Sequence, residues 1–447
     1  MVNEGGVPAT PGRSSLPAVA RRGWLSYDAV SDFVAQDSTL TSHHSRYRFV
    51  IAGLVLSLFF SGGLTFLAVT PVFPLIIDDY GISRSAASLL VSSVALANAL
   101  LAIPGGILVA RVGPHRVIVG GWLLASAPAL SVFADDFATL LALRLLFGVG
   151  FAFMLPAVAP VLMRWFPPKE LPLVNSLLLG ALTVGISVSA FVGAPISEAV
   201  GWRWLLTSYG LLMLAGAMAW LVFGSSGSVS TGPGSRVRYR EIWGIMRSRL
   251  TLLLVLADLG PYAQFAALMA WLPTFYHEAL GMSLSRAGLV VGVLPGAGVF
   301  MLLLAGALSL RVANRRPFLV VPGIVVGFAG MLAVLGTETY ILYPAMLLLA
   351  FGSWFYVPVL LTLPMEQPGA SEEQVALTWS VLMSLGSVGA FAAPLFVGAI
   401  RDVFGSYVPG LLVFAVLSWS LVAGGLLLPK GGRGAVPQPE PLPTGRG

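Results

Sequence analysis

The sequence predicts an all-α membrane protein in which twelve transmembrane helices form two six-helix bundles. Three observations predict this fold: an apolar composition, a succession of long apolar runs, and an internal repeat. Of the 447 residues, 57% are hydrophobic and 10% are charged, whereas soluble proteins have about 45–50% apolar and about 25% charged residues. Because so few charges cannot cover a water-facing surface, we expect an integral membrane protein.

The apolar runs give the number of membrane spans. A span needs about 20 helical residues, because every backbone polar group inside the bilayer must bond within the protein. Twelve runs approach or exceed this length, at 49–75, 86–110, 117–134, 137–163, 171–194, 203–223, 250–276, 287–310, 317–337, 340–365, 374–400 and 406–428. The more polar segments are expected to be a disordered cytoplasmic tail at 1–45, a cytoplasmic linker at 225–249 and a second cytoplasmic tail at 430–447. The two bundles then cover 46–224 and 250–429.

An internal repeat with an offset of 200 residues supports the division into two bundles. Residues 81–92 and 281–292 match at six of twelve positions without a gap, and 106–116 and 306–316 match at five of eleven. Both matches lie at the boundaries of the second helix of a half. Halves related in this way, with the same orientation, are typical of transporters built from parallel repeats.

The basic residues predict the topology. With the N-terminus inside, 20 Lys and Arg residues fall on the cytoplasmic side and four on the other, with Arg144 inside a span. Such an excess is typical of cytoplasmic loops, so both termini are expected to be cytoplasmic and the protein multi-pass in the cell membrane. The net charge of +6 therefore needs no nucleic-acid partner.

The sequence lacks the residues that several classes of chemistry require. There is no cysteine, and the four histidines form no helical pair of metal ligands. The two lysines follow no glycine-rich phosphate-binding loop. We therefore expect no metal, no cofactor and no enzymatic activity.

The loop between the second and third runs resembles the signature loop of the major facilitator superfamily. Its matching residues are Gly106, Arg111, Gly113 and Arg116. One position departs from the pattern: Ala110 stands where the family usually has an aspartate, which pairs with loop arginines and latches the outward-open state. The resemblance does not carry that latch over to this chain.

Two further motifs extend the resemblance over about 46–428. Arg144-x3-Gly148-x-Gly150 is similar to the fourth-helix motif of the superfamily, and Gly201-Trp202-Arg203-Trp204 resembles the turn that opens its sixth helix. The resemblance implies transport by alternating access, by a protein that works as a monomer.

The seventh run is similar to cyanate-permease-like members. It carries Tyr262, Gln264 and Phe265, followed by Trp271. The nitrate carriers of the superfamily hold their anion with arginines inside the second and eighth helices, and this chain has none there. The fifth-helix signature of drug/proton antiporters is incomplete, so the direction of transport stays open.

Asp258 and Arg144 are the charged side chains inside the apolar runs rather than at their ends. A charge at the bilayer centre costs about 2.5–3.5 kcal/mol on insertion scales, so each needs a partner or a cavity. Asp258 is a candidate proton carrier. The alternative is a carboxyl that stays protonated, or pairs locally, and only contributes to helix packing. Arg144 is a candidate to neutralise an anionic substrate or to promote proton release from Asp258. The alternative is a structural role, in which its guanidinium bonds carbonyls of neighbouring helix ends.

Polar and aromatic residues of the spans are candidates for substrate binding. They are Tyr262, Gln264, Phe265, Trp271, Asn98, Asn175, Trp354 and Tyr356, of which Asn98 and Asn175 are expected to be buried. Pro261, after Gly260, predicts a kink in the seventh helix, and Ser61-Gly62-Gly63 predicts an interruption at the corresponding position of the first helix. Interruptions at corresponding places in both halves are typical of a midplane binding site.

Residues of two cytoplasmic loops are candidates for a gate, with a plain topology signal as the alternative. They are Gly106, Arg111, Gly113, Arg116, Gly306, Arg311, Arg315 and Arg316. The function expected from the sequence is secondary active transport of a small organic solute or anion, coupled to protons. An uncoupled facilitator or a nutrient sensor on the same scaffold is the alternative. The expected partners are the substrate, protons and the lipid bilayer.

Overall fold

Helices satisfy their own backbone groups, so an apolar chain in a membrane is expected to be helical throughout. The computed structural model describes residues 46–167, 170–225, 239–309, 311–312, 314–366 and 372–428, and every regular element among them is a helix. The α-helices are α1 (Tyr47–Phe66), α2 (Phe73–Tyr80), α3 (Arg84–Val112), α4 (Pro114–Ala125), α5 (Phe137–Trp165), α6 (Leu171–Val200), α7 (Trp202–Phe223), α8 (Tyr239–Met246), α9 (Arg249–Leu280), α10 (Leu284–Ser309), α11 (Pro317–Leu335), α12 (Thr339–Trp354), α13 (Val357–Thr362), α14 (Glu372–Phe404), α15 (Val408–Leu417) and α16 (Ser420–Leu427). Two 3-10 helices cover Thr70–Val72 and Ala127–Phe133.

Twelve of the helical segments in the described chain are long and apolar enough to cross a membrane, which confirms the predicted count. They are Tyr47–Tyr80, Arg84–Val109, Pro114–Phe133, Phe137–Trp165, Leu173–Val200, Trp202–Phe223, Arg249–Leu280, Leu284–Ser309, Pro317–Leu335, Thr339–Thr362, Thr378–Phe404 and Val408–Leu427. We number these spans one to twelve.

The described segments between the spans are short, with one exception. The predicted linker 225–249 contains the eight-residue helix α8, and its other described residues are 225 and 247–249. The predicted tails at 1–45 and 430–447 lie outside the described residues. The division into bundles at 46–224 and 250–429 stays a prediction.

The two ends of the helix array can be told apart by their loops. Arg203 forms an ion pair of 2.6 Å with Asp79 and donates a hydrogen bond to the carbonyl of Ala134. Arg286 donates to Thr339 Oγ1. These residues flank the loops after odd-numbered spans, and we call their side the odd-loop end. At the opposite side, the even-loop end, Trp165 Nε1 donates to the carbonyl of Ser225.

The first six and the last six spans meet along two seams. At the 2–11 seam, where α3 packs on α14, Ser88 Oγ donates to the carbonyl of Pro394 at 2.8 Å. At the 5–8 seam, where α6 packs on α10, Ser187 Oγ donates to the carbonyl of Gly292 at 2.8 Å. Each seam thus has a buried serine hydroxyl that bonds a backbone carbonyl of the other half.

Glycines let α1 and α6 approach closely. A Cβ added at Gly63 would overlap the carbonyl oxygen of Leu182, and one at Gly185 would overlap that of Phe60. Small residues at such contacts are typical of membrane helix pairs. The expected interruption at 61–63 is wrong, because α1 continues through these residues to Phe66 and its glycines serve close packing.

The glycine at the other expected interruption also packs closely. α9 continues through 260–261, and a Cβ at Gly260 would overlap the carbonyl oxygen of Leu417. The helix is therefore not broken at Gly260, and the kink expected at Pro261 stays a prediction.

The α1–α6 contact gives a prediction for Gly63→Ala. The added methyl must displace backbone of α6, and overpacking of this kind costs about 1–3 kcal/mol. Gly53→Ala is the matched control, because it lies on the same helix and a Cβ there would meet nothing within 4 Å. In detergent, Gly63→Ala is expected to melt at a lower temperature than wild type, and Gly53→Ala at the same temperature or slightly higher. Equal melting temperatures for the two variants would contradict the close contact.

Candidate functional site

Asp258 lies inside α9 and receives one hydrogen bond from another span. It is nine residues beyond Arg249, the first residue of α9, which places it about 13 Å along the helix. Its side chain is 8% exposed. Tyr356 donates its hydroxyl hydrogen to Asp258 Oδ1 at 2.7 Å. The carboxyl is therefore buried with a neutral donor.

Tyr356 reaches Asp258 because the tenth span is broken beside it. α12 ends at Trp354, and α13 starts at Val357 with a proline in its first turn. Proline has no N–H to donate to the carbonyl four residues earlier, here that of Trp354, and its ring crowds that carbonyl. Pro358 thus accounts for the break, and Tyr356 is held at the junction with its side chain 2% exposed.

A second tyrosine and a glycine complete the surroundings of Asp258. Tyr262 follows Asp258 by four residues and so lies on the same face of α9. Its ring faces α14 at Gly386. A Cβ at Gly386 would lie 3.3 Å from Asp258 Oδ2 and 3.3 Å from Tyr262 Cδ1. Gly386 thereby leaves room beside the second carboxyl oxygen.

The Asp258 site adjoins the 2–11 seam. Ala95 of α3, Ala266 of α9 and Ala390 of α14 form a buried cluster against which Tyr262 packs. Ser384 Oγ of α14 donates to the carbonyl of Ala99 in α3 at 2.7 Å. A change at Asp258 or Tyr262 is therefore one layer of side chains away from the contact between the two halves.

Arg144 is fully buried and bonds backbone carbonyls of two other helices. Its Nη1 and Nη2 donate to the carbonyls of Thr65 and Phe66 at 2.7 Å, and its Nε donates to that of Leu90 at 3.0 Å. The guanidinium carbon also lies 5.1 Å from the centre of the Phe147 ring.

These bonds give Arg144 a helix-capping position. Thr65 and Phe66 are the last two residues of α1, where carbonyls lack intrahelical partners and the helix dipole favours a cation. The geometry matches the structural alternative for Arg144. Within the described chain the guanidinium forms no ion pair with a carboxylate, and its part in proton coupling stays a prediction.

Two aromatic residues among the candidates pack together near the Asp258 site. Phe265 and Trp354 form an edge-to-face pair with ring centres 5.4 Å apart. Trp354 also lies against Gly298 of α10, where a Cβ would overlap the indole. Tyr262, Phe265, Trp354 and Tyr356 therefore come from α9 and the α12–α13 junction, on one side of the 2–11 seam.

The other candidates for substrate binding lie elsewhere. Gln264 is fully buried and donates to the carbonyl of Val326 in α11. Trp271 is also fully buried and donates to the carbonyl of Pro394. Asn98 is half-buried and donates to the carbonyl of Val94 on its own helix. Asn175 is exposed, so the expectation that it is buried is wrong. Its position in the first turns of α6 leaves the side chain uncovered.

The residues of the two predicted gate loops have varied surroundings. Arg315 forms an ion pair of 2.6 Å with Glu366, and Arg316 donates to the carbonyl of Leu428 at 2.7 Å. Both bonds stay within the last six spans. Three of the arginines are exposed, namely Arg111, Arg116 and Arg311.

The gate-loop glycines have open space around them. A Cβ would meet nothing within 4 Å at Gly106, Gly113 or Gly306. Gly113 has a φ of +91°, which L-residues rarely adopt, so this turn requires glycine. The gate function of both loops stays a prediction.

Sequence reasoning did not single out Gly386. It lies more than 120 residues from Asp258, and no local pattern marks it as a neighbour of a carboxyl. Among the described residues no group of three His, Asp or Glu side chains could hold a metal ion.

Comparisons with known proteins agree with the fold. The family model of the Major Facilitator Superfamily matches residues 54–394. A probable sulfoacetate transporter of Cupriavidus necator is 25% identical over 85% of this chain and 93% of its own. The cyanate transport protein of Escherichia coli is 27% identical over 76% of this chain and 87% of its own. The nitrite extrusion protein of Bacillus subtilis is 23% identical over 79% of this chain and 88% of its own.

A solved structure shares the fold. A bacterial homologue of the human lysosomal transporter Spinster, in an inward-facing and unoccupied conformation, superposes with a TM-score of 0.64 at 17% identity. The match covers 86% of this chain and 95% of that one. At this identity the likeness concerns the fold.

The capping position of Arg144 gives a prediction for Arg144→Met. The substitution removes three hydrogen bonds and leaves the carbonyl of Phe66, at the end of α1, without its donor. A buried group left without a partner costs about 1–3 kcal/mol. Arg144→Lys keeps the charge but loses the planar fork of donors. Both variants are expected to melt well below wild type in detergent, followed by tryptophan fluorescence. The control, Arg311→Lys, alters an exposed arginine and should melt like wild type. Unchanged melting of Arg144→Met together with lost transport would instead assign Arg144 to the mechanism.

Proposed function

The chain belongs to the Major Facilitator Superfamily, and we propose that it is a secondary active transporter that moves a small organic solute or anion across the cell membrane in a cycle coupled to protons. The observation that carries this proposal is Asp258. Its carboxyl lies within a membrane span, is 8% exposed and adjoins the contact between the two halves of the chain.

A buried carboxyl is suited to couple protonation to conformation. Charged, Asp258 can keep the 2.7 Å hydrogen bond from Tyr356 as its compensation. Neutral, it can itself donate a hydrogen bond, so protonation changes which partners it prefers. Gly386 of α14 lies beside both Asp258 and Tyr262, so any such change reaches α14, the helix of the 2–11 seam.

Alternating access is proposed from the arrangement of the two seams. Parallel-repeat transporters rock one bundle against the other around a central site. Here the halves share hydrogen bonds at both seams, through Ser88 and Ser187. The Asp258 site lies on the same seam as Ser88, and we place the transport path next to it.

The substrate class is proposed from the relatives and from the side chains present. The relatives named above are a probable sulfoacetate transporter, a cyanate transport protein and a nitrite extrusion protein. In this chain we assign substrate contact first to Tyr262, Phe265, Trp354 and Tyr356, which lie nearest the Asp258 site. Gln264, Trp271, Asn98 and Asn175 stay as weaker candidates, since their observed surroundings do not adjoin the carboxyl.

We further propose that the even-loop end faces the cytoplasm, with both termini inside. The excess of Arg and Lys in the even-numbered loops supports this orientation. Helix α8 and the basic residues Arg247 and Arg249 belong to that side. The chain is expected to act as a monomer.

The proposal predicts the behaviour of Asp258→Asn. Purified protein is placed in liposomes loaded with a pH-sensitive dye, and small sulfonates, carboxylates, cyanate and nitrite are added in turn. For any anion that drives a proton flux in wild type, Asp258→Asn is expected to reduce that flux at least tenfold, because an amide cannot exchange the proton. Exchange of labelled for unlabelled substrate, which needs no net proton movement, should persist.

Asp78→Asn is the matched control, because Asp78 is an exposed carboxylate near the odd-loop end. It should transport like wild type. A proton flux that survives in Asp258→Asn would remove the coupling role from this residue. Substrate uptake in wild type without any proton movement would make the protein an uncoupled facilitator and contradict the proposal itself.

A further inference from the structure

At the odd-loop end, a carboxylate from the last six spans caps a helix of the first six. Asp402, near the end of α14, accepts the backbone N–H of Arg84 at Oδ1 (3.1 Å) and that of Ser85 at Oδ2 (2.9 Å). Arg84 and Ser85 are the first two residues of α3, whose N-cap Ser83 accepts the N–H of Ala86. The first turn of α3 therefore depends on the other half for two of its partners.

The same place holds a cluster of charges across the 2–11 seam. Arg84 donates to Glu278 Oε1 and to the hydroxyl of Tyr407, both at 3.0 Å. Arg401 reaches the other oxygen of Glu278 at 3.4 Å. Arg84 is the member from the first six spans, so the cluster ties it to the last six.

The 5–8 seam carries a weaker counterpart related by the internal repeat. Ser285, which is 200 positions after Ser85, donates its hydroxyl to Glu198 Oε1 at 3.0 Å. Ser283, 200 positions after Ser83, accepts the N–H of Arg286. Glu198 stands near the end of α6, as Asp402 stands near the end of α14. Both seams thus have a carboxylate at the start of the facing helix.

Glycines bring the backbones together directly below both carboxylates. A Cβ at Gly398 of α14 would lie 2.9 Å from the carbonyl oxygen of Arg84, and one at Gly288 of α10 would overlap that of Ala190. The carboxylates therefore act on two helix pairs that are already in backbone contact. Separation of either pair at this end must break the carboxylate contact first.

We propose that Asp402 and Glu198 are a pair of latches that hold the odd-loop end of the transporter closed. Each latch combines a hydrogen bond with the attraction between a carboxylate and the positive end of a helix. Both carboxylates are exposed, so water can replace their bonds and the latches can open during a cycle. The inference concerns the closed state itself and goes beyond the proposed substrate and coupling ion.

The absence of cysteine allows a direct test with single-cysteine reporters. Val91→Cys reports on the 2–11 seam, because residue 91 is buried and lies one turn from Ser88 on the same face of α3. Val291→Cys reports on the 5–8 seam, because residue 291 is buried and lies one turn from Gly288 on α10. A polar maleimide is added to the folded protein in detergent, without substrate, and the labelling rate is measured.

Asp402→Ala is expected to raise the labelling rate of Val91→Cys about fivefold, the factor that corresponds to the loss of about 1 kcal/mol typical of an N-cap. Glu198→Ala and Ser285→Ala should raise the rate of Val291→Cys by a smaller factor. Asp402→Asn should fall between Asp402→Ala and the unaltered protein, because an amide oxygen can still cap.

Asp78→Ala serves as the control, since it removes an exposed carboxylate of the same end without a latch contact. It should leave both rates unchanged. Rates that stay at the control value in both Asp402→Ala and Glu198→Ala would overturn the latch proposal. Because the readout needs no transport, this failure is separate from a failure of proton coupling.

Discussion

The free energy needed to place a charge or an unbonded backbone group in hydrocarbon is the constraint on which the rest of this structure depends. It explains why the described chain is helical between its loops and why its mid-span charges are few. It also explains their surroundings. Arg144 is enclosed by three carbonyls, two of them at the end of α1. Asp258 has one hydroxyl donor and open space beside its second oxygen. The arginine has three backbone acceptors in place, whereas the carboxyl retains the capacity to change partners.

The same constraint shapes the seams between the halves. Serine hydroxyls and glycines let backbones meet directly, without large side chains between them. Such contacts are easily separated, because each depends on one hydrogen bond or on simple van der Waals contact. Among the described residues, the charged contacts between the two halves lie at the odd-loop end, where water can solvate these groups when they part. The position of Ala110 adds to this asymmetry, since an alanine there offers no carboxylate to the arginines of the even-numbered loops.

The helices and the repeat could be predicted from the sequence because both depend on local patterns. Twelve apolar runs and an offset of 200 residues need no tertiary information.

The site was predicted only in part. Asp258, Tyr262 and Tyr356 are singled out as polar or aromatic residues in spans, but the bond between Asp258 and Tyr356 joins residues 98 positions apart. The bond between Ser85 and Asp402 joins residues 317 apart. The expected interruption at Gly62 and Gly63 was wrong, because glycine is compatible both with a helix break and with close packing of two helices. The sequence of one helix does not show whether a second helix packs against it. Asn175 was wrongly expected to be buried, because an almost uniformly apolar segment does not show which of its helix faces is exposed.

The central claim is that a single carboxyl, Asp258, carries the proton through the membrane spans. The most direct measurement is the coupling ratio of the wild-type protein in liposomes, with the membrane potential clamped at zero and the substrate gradient varied until net flux stops. One proton per substrate requires about a tenfold substrate gradient to balance each pH unit. The sign of that gradient distinguishes symport from antiport. A substrate gradient near tenfold per pH unit at zero net flux is the result expected from one titrating carboxyl. A gradient near a hundredfold per pH unit, or one that does not depend on pH, would contradict the claim.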